Sequence, residues 1–498
     1  MRSGHSDPGL PLSQLLSLGG DARILIDPKS RRNHYDASPQ PEAQLLEYAS
    51  CTASSISPDS FAAATKLQQR LRDSIPIESS ENPSLAENEF ERLRIELAAF
   101  FGLSSNSETE IVFASSGTDL HLIAAQLSGV SETKRNGDNA PLQVLSLEAS
   151  ETGQGVPAAL RARHPSSYAA LAGSVPLGEM LQDAGTVELS ELKGRGEDGT
   201  PIPPQLLDEP MESFTQAAIS NGQRVMLIIS DLSKTGLLAP SPSAALKILQ
   251  RYPGRVDILV DACQLRLEAA SVVEYIKNGF MVAITGSKFA TGPAFSGALL
   301  IPGRLARNWK NKNLPASLSA YCARADWPRN WAIRNSMIVD ANIGLLLRWE
   351  AALTEMKAFQ KLNSSAVKKF LSEFSSAVQT HLAADPHFET LPLPKLSRAR
   401  FVSDSAWDTV PTIFPFILRK SGYLSPDDTS KVAQKLLLQN GKIGQATPLG
   451  KRKGKALAAL RICSSMRLAV DALSPQGRGT DFVIAGALRL LDTITTLF

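Results

Sequence analysis

Two wholly apolar strand patterns joined by a helical one dominate the middle of this chain. From Val256 to Leu300 the sequence reads VDILVDACQLRLEAASVVEYIKNGFMVAITGSKFATGPAFSGALL. Ile258 to Ala262 is apolar except for Asp261, and Phe280 to Thr285 is apolar until Gly286-Ser287-Lys288. Continuous apolar strands linked by a helix fit a parallel sheet covered on both faces. Ligands of such sheets sit at the carboxyl ends of the strands. The pattern therefore brings an acid, Asp261, and an amine, Lys288, to the same sheet edge.

A chain of 498 residues is too long for one small core, so two domains, or three, are expected. With 43% hydrophobic and 20% charged residues it has an ordinary globular composition. A net charge of +3 is no footprint for nucleic acid, and the short basic run Lys451 to Lys455 reads as a solvated loop. Four cysteines, Cys51, Cys263, Cys322 and Cys463, lie far apart without a CxxC pair. That argues against a zinc site and a disulfide framework, and for a reducing cytoplasm. Met1 to Asp7 is polar, with no signal-like apolar region, and no apolar run reaches the ~18 residues a membrane helix needs. No metal, nucleic acid or membrane partner is expected.

Along the chain, residues 1–60 read as an arm rich in Pro, Ser and Gly, with a dense run of small hydroxyl residues from Tyr48 to Ser57. Helical spacing follows over Phe61 to Ile75 and Asn88 to Gly102, where Leu93, Leu97 and Phe100 share one face and Gly102 is placed to cap the end. A strand over Glu110 to Ser115 runs into Ser116-Gly117-Thr118, and Leu120 to Leu127 reads as a helix. Strand, Ser-Gly-Thr, helix is an anion site in outline: N–H groups point out of the helix start, the dipole favours negative charge, and two hydroxyls add donors. Taken alone, the tripeptide is equally an ordinary N-cap. Further strands are expected at Leu142 to Leu147 and Val225 to Ile229, with a polar stretch from Gly173 to Gly222 between them. Tyr321 to Trp331 is an aromatic-rich connection suited to a pocket or subunit contact. Ala341 to Phe374 is mostly helical, strands lie near Ile413 to Leu418 and Leu457 to Cys463, and a helix over Asp481 to Leu491 closes the chain.

Taken together, Ser116-Gly117-Thr118, then Asp261-x-x-Gln264, then Thr285-x-Ser287-Lys288 with Gly292-Pro293 and Gly297 resemble the pyridoxal-phosphate (PLP) enzymes of aminotransferase class V, a group that includes cysteine desulfurases and kynureninase. The resemblance implies an α/β fold of type I. Its large PLP-binding domain (61–340) would carry a mostly parallel seven-stranded sheet flanked by helices. A smaller α+β domain (341–498) would follow, and the arm (1–60) would contribute to the active site of a homodimer. It implies that Lys288 forms the Schiff base, burial lowering its pKa so that it serves as nucleophile and later as base. Asp261 would keep the pyridine nitrogen protonated, Gln264 would donate to the ring oxygen, and Ser116, Gly117, Thr118 and Thr285 would hold the phosphate. Ser287 stands where many of these enzymes have His. Arg461, in Leu460-Arg461-Ile462-Cys463-Ser464, would grip the substrate carboxylate, with Arg467 as fallback.

Besides Ser287, one further feature departs from the family pattern. No aromatic ring follows the strand Leu142 to Leu147, so a small residue (Ser150 or Thr152) covers the cofactor or a group such as His121 comes from elsewhere. Glu151 is an alternative acid–base group or a surface residue. Ser230, Asp231 and Ser233 remain equal candidates to reach the cofactor's phenolic oxygen. The expected activity is that of an aminotransferase acting on an amino acid. The alternatives are a lyase of the same fold and a catalytically idle scaffold. Cys322, the only cysteine between Lys288 and Arg461, falls earlier than a desulfurase cysteine would; that disfavours persulfide chemistry but leaves β-elimination open.

Overall fold

The computed structural model describes residues 7–74, 84–103, 108–129, 140–399, 401–402, 406–452 and 454–498. Residues 1–6, which carry most of the polar N-terminus, Ile75 of the first helical pattern and Lys453 of the basic run lie outside the described residues.

In chain order the strands are β1 (Leu46–Tyr48), β2 (Glu110–Ala114), β3 (Leu142–Leu147), a two-residue pair β4 (Tyr168–Ala169) and β5 (Gly173–Ser174), β6 (Val187–Leu192), β7 (Val225–Asp231), β8 (Leu238–Ala239), β9 (Val256–Ala262), β10 (Met281–Thr285), β11 (Gly297–Ile301), β12 (Phe388–Thr390), β13 (Ile413–Leu418), β14 (Gly441–Arg452) and β15 (Lys455–Cys463). The main sheet has the order β2-β11-β10-β9-β7-β3-β6, with β8 folded back on the end of β7. β11 runs antiparallel to both neighbours, and the other adjacent pairs on that path are parallel. The structure thus has a mostly parallel sheet with seven strands on its main path. Every residue of β3, β7, β9 and β10 is buried, including the few polar ones among their mainly apolar residues. β6 at the edge is different. Its sequence VELSEL alternates charge with apolar residues, and Glu188, Ser190 and Glu191 face solvent. It forms inside the polar stretch from Gly173 to Gly222, which also holds the helix Pro204–Ser220.

The register fixes the site. Asp261 of β9 lies opposite Ser230 of β7 and Ala283 of β10, so the acid and the loop carrying Lys288 leave neighbouring strands at the same end. The helix Gly117–Gly129 starts directly after β2, and Ser116 with Asp119 forms a reciprocal cap: the Ser116 N–H donates to Asp119 Oδ2 at 3.0 Å and the Asp119 N–H to Ser116 Oγ at 3.2 Å. Gly117 is needed for closeness, since a Cβ there would stand 2.7 Å from Cys263 Sγ.

The helical pattern from Ala341 to Phe374 is two helices, Ile343–Gln360 and Ser364–Ala384. The first ends at Gln360 with Lys361 as its cap, and Asn363 caps the second by accepting from the N–H groups of Ser365 and Ala366. A second sheet follows in the order β1-β14-β15-β13-β12. β1 comes from the arm and pairs in parallel with β14, Leu46 opposite Gly441 and Tyr48 opposite Ile443. β14, GKIGQATPLGKR, is too polar and too rich in Gly to be read as a strand; it is held as the long partner of β15, with two shifts of register. Of the basic run, read as a loop, Lys451 and Arg452 end β14 and Lys455 begins β15. Among the described residues no helix is long and apolar enough to cross a membrane, and no group of His, Cys, Asp and Glu is arranged to hold a metal ion.

Candidate active site

A cavity of about 310 Å³ opens at the carboxyl ends of β9 and β10. Three parts of the chain wall it: the main-sheet loops with Ser116, Gly117, Thr118, Asp261, Thr285, Ser287 and Lys288; the arm with Arg23, Tyr35, Cys51 and Thr52; and the second sheet with Gln445 and Arg461.

Lys288 comes off the turn after β10, with Nζ 3.4 Å from the carbonyl oxygen of Cys51. Burial lowers its pKa, and the nearby charge of Arg461 works in the same direction. Asp261 accepts from the Cys263 N–H at 3.2 Å and faces His121 Nε2 at 3.4 Å. The other ring nitrogen, Nδ1, lies 2.7 Å from the Gly117 carbonyl, which can only accept. Nδ1 therefore carries a proton, and Nε2 is the nitrogen turned toward the Asp261 carboxylate. Burial works against a charged ring, but Asp261 raises its pKa. Burial would also raise the Asp261 carboxyl; the charge and hydrogen bond of His121 outweigh it and hold the carboxyl at about 2. His121 is thus a partner of Asp261, a role its isolated place in a helix does not reveal.

At the anion cradle, the N–H groups of Gly117 and Thr118 belong to the first helical turn and have no helical acceptor. Asp119 occupies the N–H of Ser116, and burial, followed by the charge of Asp21, pushes its carboxyl up to about 7. Thr285 donates inward to the carbonyl of Cys263 at 2.7 Å and accepts from Ser287 at 3.3 Å.

Arg461 is buried in the cavity wall. Its Nη2 donates to the Gln445 carbonyl at 2.6 Å and to Thr52 Oγ1 at 3.3 Å, its Nη1 to the Lys234 carbonyl at 3.3 Å, and Nε has no acceptor. Its partners among the described residues are all neutral. A desolvated guanidinium facing a cavity without a counter-ion is built for an incoming anion.

Several expectations are corrected. Gln264 does not line the cavity; its amide donates to the Cys51 carbonyl at 3.2 Å and its oxygen accepts from Arg266 at 3.4 Å. Arg467 lies outside the cavity lining and is engaged by Glu355 at 2.8 Å and by the carbonyls of Ser55 and Thr291. Asp231 is locked in a buried pair with Arg398 and a hydrogen bond from Tyr275, and Ser233 donates to Glu151 at 2.6 Å. Glu151 is not on the surface: Ser233, Thr235 and Arg195 take its oxygens. Of the two small residues proposed to cover a cofactor ring, Thr152 lines the cavity and Ser150 does not. Tyr321, Cys322, Trp327 and Trp331 pack into a buried apolar cluster instead of the cavity.

Other cavity residues escape sequence reasoning. Arg23 enters from the arm, held by Asp21 with Nε–Oδ1 at 2.9 Å. Lys234 enters from the loop after β7, and burial with the charges of Lys288 and Arg461 lowers its amine to about 7. Nothing local marks either one, because each becomes a site residue only through long-range packing.

The fold is that of the fold type I PLP-dependent enzymes. The cystine C-S lyase C-DES, in complex with its reaction product cysteine persulfide, superposes with a TM-score of 0.55 at 16% identity, covering 90% of this chain and 98% of its own. The cysteine desulfurase CsdA of Escherichia coli gives 0.52 at 12% identity, over 91% and 96%. The Oryza sativa TDC with PLP and tryptamine gives 0.53 at 12%, over 91% and 83%. Neither a family model nor a curated protein matches the sequence.

Proposed function

We propose that the protein binds PLP at Lys288 and transforms an α-amino acid. One observation carries this reading: Asp261, held ionised beside His121, and Lys288, an amine made less basic by burial, leave adjacent strands into one cavity. The residues fit the cofactor. The first-turn N–H groups of Gly117 and Thr118 would take its phosphate, Asp261 would hold the proton on its ring nitrogen, and Thr152 would lie against its ring. Bound, PLP supplies an electron sink for charge developing at the substrate's α carbon.

The chain's own groups do the rest. Arg461 binds and orients the α-carboxylate through its fork of N–H donors. Lys288, once free, takes the α-proton, and burial, by lowering its pKa, favours the free amine that this step needs. Lys288 can also return that proton to a second carbon, so transamination needs no other acid. Transamination is therefore the leading reaction. Elimination at the β carbon is the second reading, favoured by Cys51. Burial alone would raise this cavity thiol, but Cys463 and the cations Arg461, Arg266 and Lys288 pull it down, which sets a sulfur nucleophile in the cavity where a sulfur-bearing substrate side chain would lie.

Borohydride reduction of the PLP-loaded protein, followed by peptide mapping, is expected to leave the pyridoxyl group on Lys288; finding it elsewhere ends the assignment. A single turnover with an amino donor and no acceptor separates the reactions. Transamination yields one equivalent of keto acid and converts the cofactor to its amine form; elimination yields many equivalents and leaves the cofactor unchanged.

A further inference from the structure

The cavity holds a second cation that the proposed chemistry does not use. Lys234 lies in the loop between β7 and β8, and that loop is firmly anchored. The Lys234 N–H donates to the Glu151 carbonyl at 2.9 Å, and on either side Ser233 and Thr235 donate to the buried Glu151 carboxylate at 2.6 and 2.7 Å. The side chain reaches the cavity from this base. There its Nζ makes one contact among the described residues, 3.4 Å to the Ala149 carbonyl. Glu151 is not its counter-ion, since that carboxylate is taken by the two hydroxyls and by Arg195 at 3.3 Å.

Charge around Lys234 is lopsided. Lys288 and Arg461 share its cavity, and Arg461 Nη1 donates to the Lys234 carbonyl, which fixes the two residues on one wall. Arg23, also in the lining, is neutralised by Asp21, and Asp261 by His121. The cradle at Gly117 and Thr118, where a phosphate would go, is built from a different segment, at the end of β2. With Lys288 engaged by the cofactor, Arg461 and Lys234, on one wall, have no carboxylate partner among the described residues. Arg461 accounts for one carboxylate. We propose that Lys234 is a specificity residue that binds a second carboxylate, on the substrate's side chain, so that the substrate is a dicarboxylic α-amino acid. This inference rests on the reading of Arg461 as the α-carboxylate site. Burial and then the like charges of Lys288 and Arg461 already lower the Lys234 amine to about 7, and an arriving carboxylate offsets those charges.

The test uses the full-length, PLP-loaded protein and reads ligand binding by calorimetry, with glutarate as dicarboxylate probe and butyrate as monocarboxylate probe. The expected result is that glutarate binds about ten-fold or more tightly than butyrate, the scale of one charged hydrogen bond in a partly desolvated site. Lys234→Met should abolish the preference and leave butyrate binding and PLP content unchanged, and Lys234→Arg should retain it. Arg461→Met should weaken both probes. Equal binding of the two probes by the unmodified protein overturns the proposal, a result that does not depend on any variant folding. So does an equal loss for both probes in Lys234→Met, which would mean that both cations hold one carboxylate, or a loss of PLP with the preference intact, which would assign Lys234 to the phosphate. Absence of a reducible cofactor on Lys288 would instead count against the proposed function.

Discussion

His121 decides the state of Asp261, and its effect has a definite pH window. Asp261 is held at about 2, below its ordinary 3.8, so the stability it contributes is present above 3.8 and is lost as pH falls toward 2. His121 is raised above its ordinary 6.5, so its share is present below 6.5 and is lost as pH rises through the folded value. In the cofactor-free protein, His121→Phe should therefore cost most between these limits, about 3 kcal/mol, because it strands a buried carboxylate. Urea denaturation across pH 3 to 9 measures this; a cost that is flat with pH would contradict the pairing. Residues fixed by local sequence were legible at this scale. Asp261 and Lys288 end apolar strands, Gly117 follows a strand and opens a helix, and Arg461 is a lone charge in an apolar strand. The pairings were not legible. Gln264 sits in a matching motif yet turns its amide to Cys51, and His121 finds Asp261 from a separate element.

At the scale of elements, the helix Gly117–Gly129 brings a carboxylate to its own anion-binding end. Asp119 completes the cap at Ser116 but is pushed up to about 7 by burial and by Asp21. A folded pKa above the ordinary 3.8 means that the fold holds an additional proton between roughly 4 and 7, so this group's contribution to stability falls as pH rises through that range. Asp119→Asn keeps an acceptor for the Ser116 N–H and removes the charge. The variant should match the parent near pH 4 and exceed it by at least about 1 kcal/mol at pH 8 in chemical denaturation. Strand legibility followed burial. β3, β7, β9 and β10 are covered on both faces and announce themselves as apolar runs, whereas edge strand β6 and the Gly-rich β14 are strands only because a neighbour offers hydrogen bonds.

For the whole molecule, the arm is part of the second sheet and not an appendage. Tyr48, at the end of β1, is buried, stacks on Phe374 with ring centroids 6.1 Å apart and donates to the Val483 carbonyl at 2.5 Å. Tyr48→Ala should cost about 3–5 kcal/mol, the range for emptying a buried aromatic position. Tyr48→Phe should cost only about 1 kcal/mol, for the hydrogen bond. Equilibrium unfolding checks both, and equal costs would mean that the ring packing contributes nothing. The class of fold could be read from the order of motifs along the chain. The union of the arm with β14 could not, since β1 is three residues long and its partner does not look like a strand.

That union also sets a timetable. The arm leaves the ribosome before β14 and β15, which lie much further along the chain. Until Gly441–Cys463 has been made, β1 has no strand to join, and Ser50 lacks the Ser464 carbonyl to which it donates. Cys51 and Thr52 follow directly from these contacts, and they form the cavity wall together with Arg461 and Gln445. The main sheet is complete in sequence once β11 has emerged, but the chamber it opens into cannot close before β14 and β15 have followed. A half-made chain can carry Lys288 and Asp261 in place and still have no enclosed cavity in which to use them.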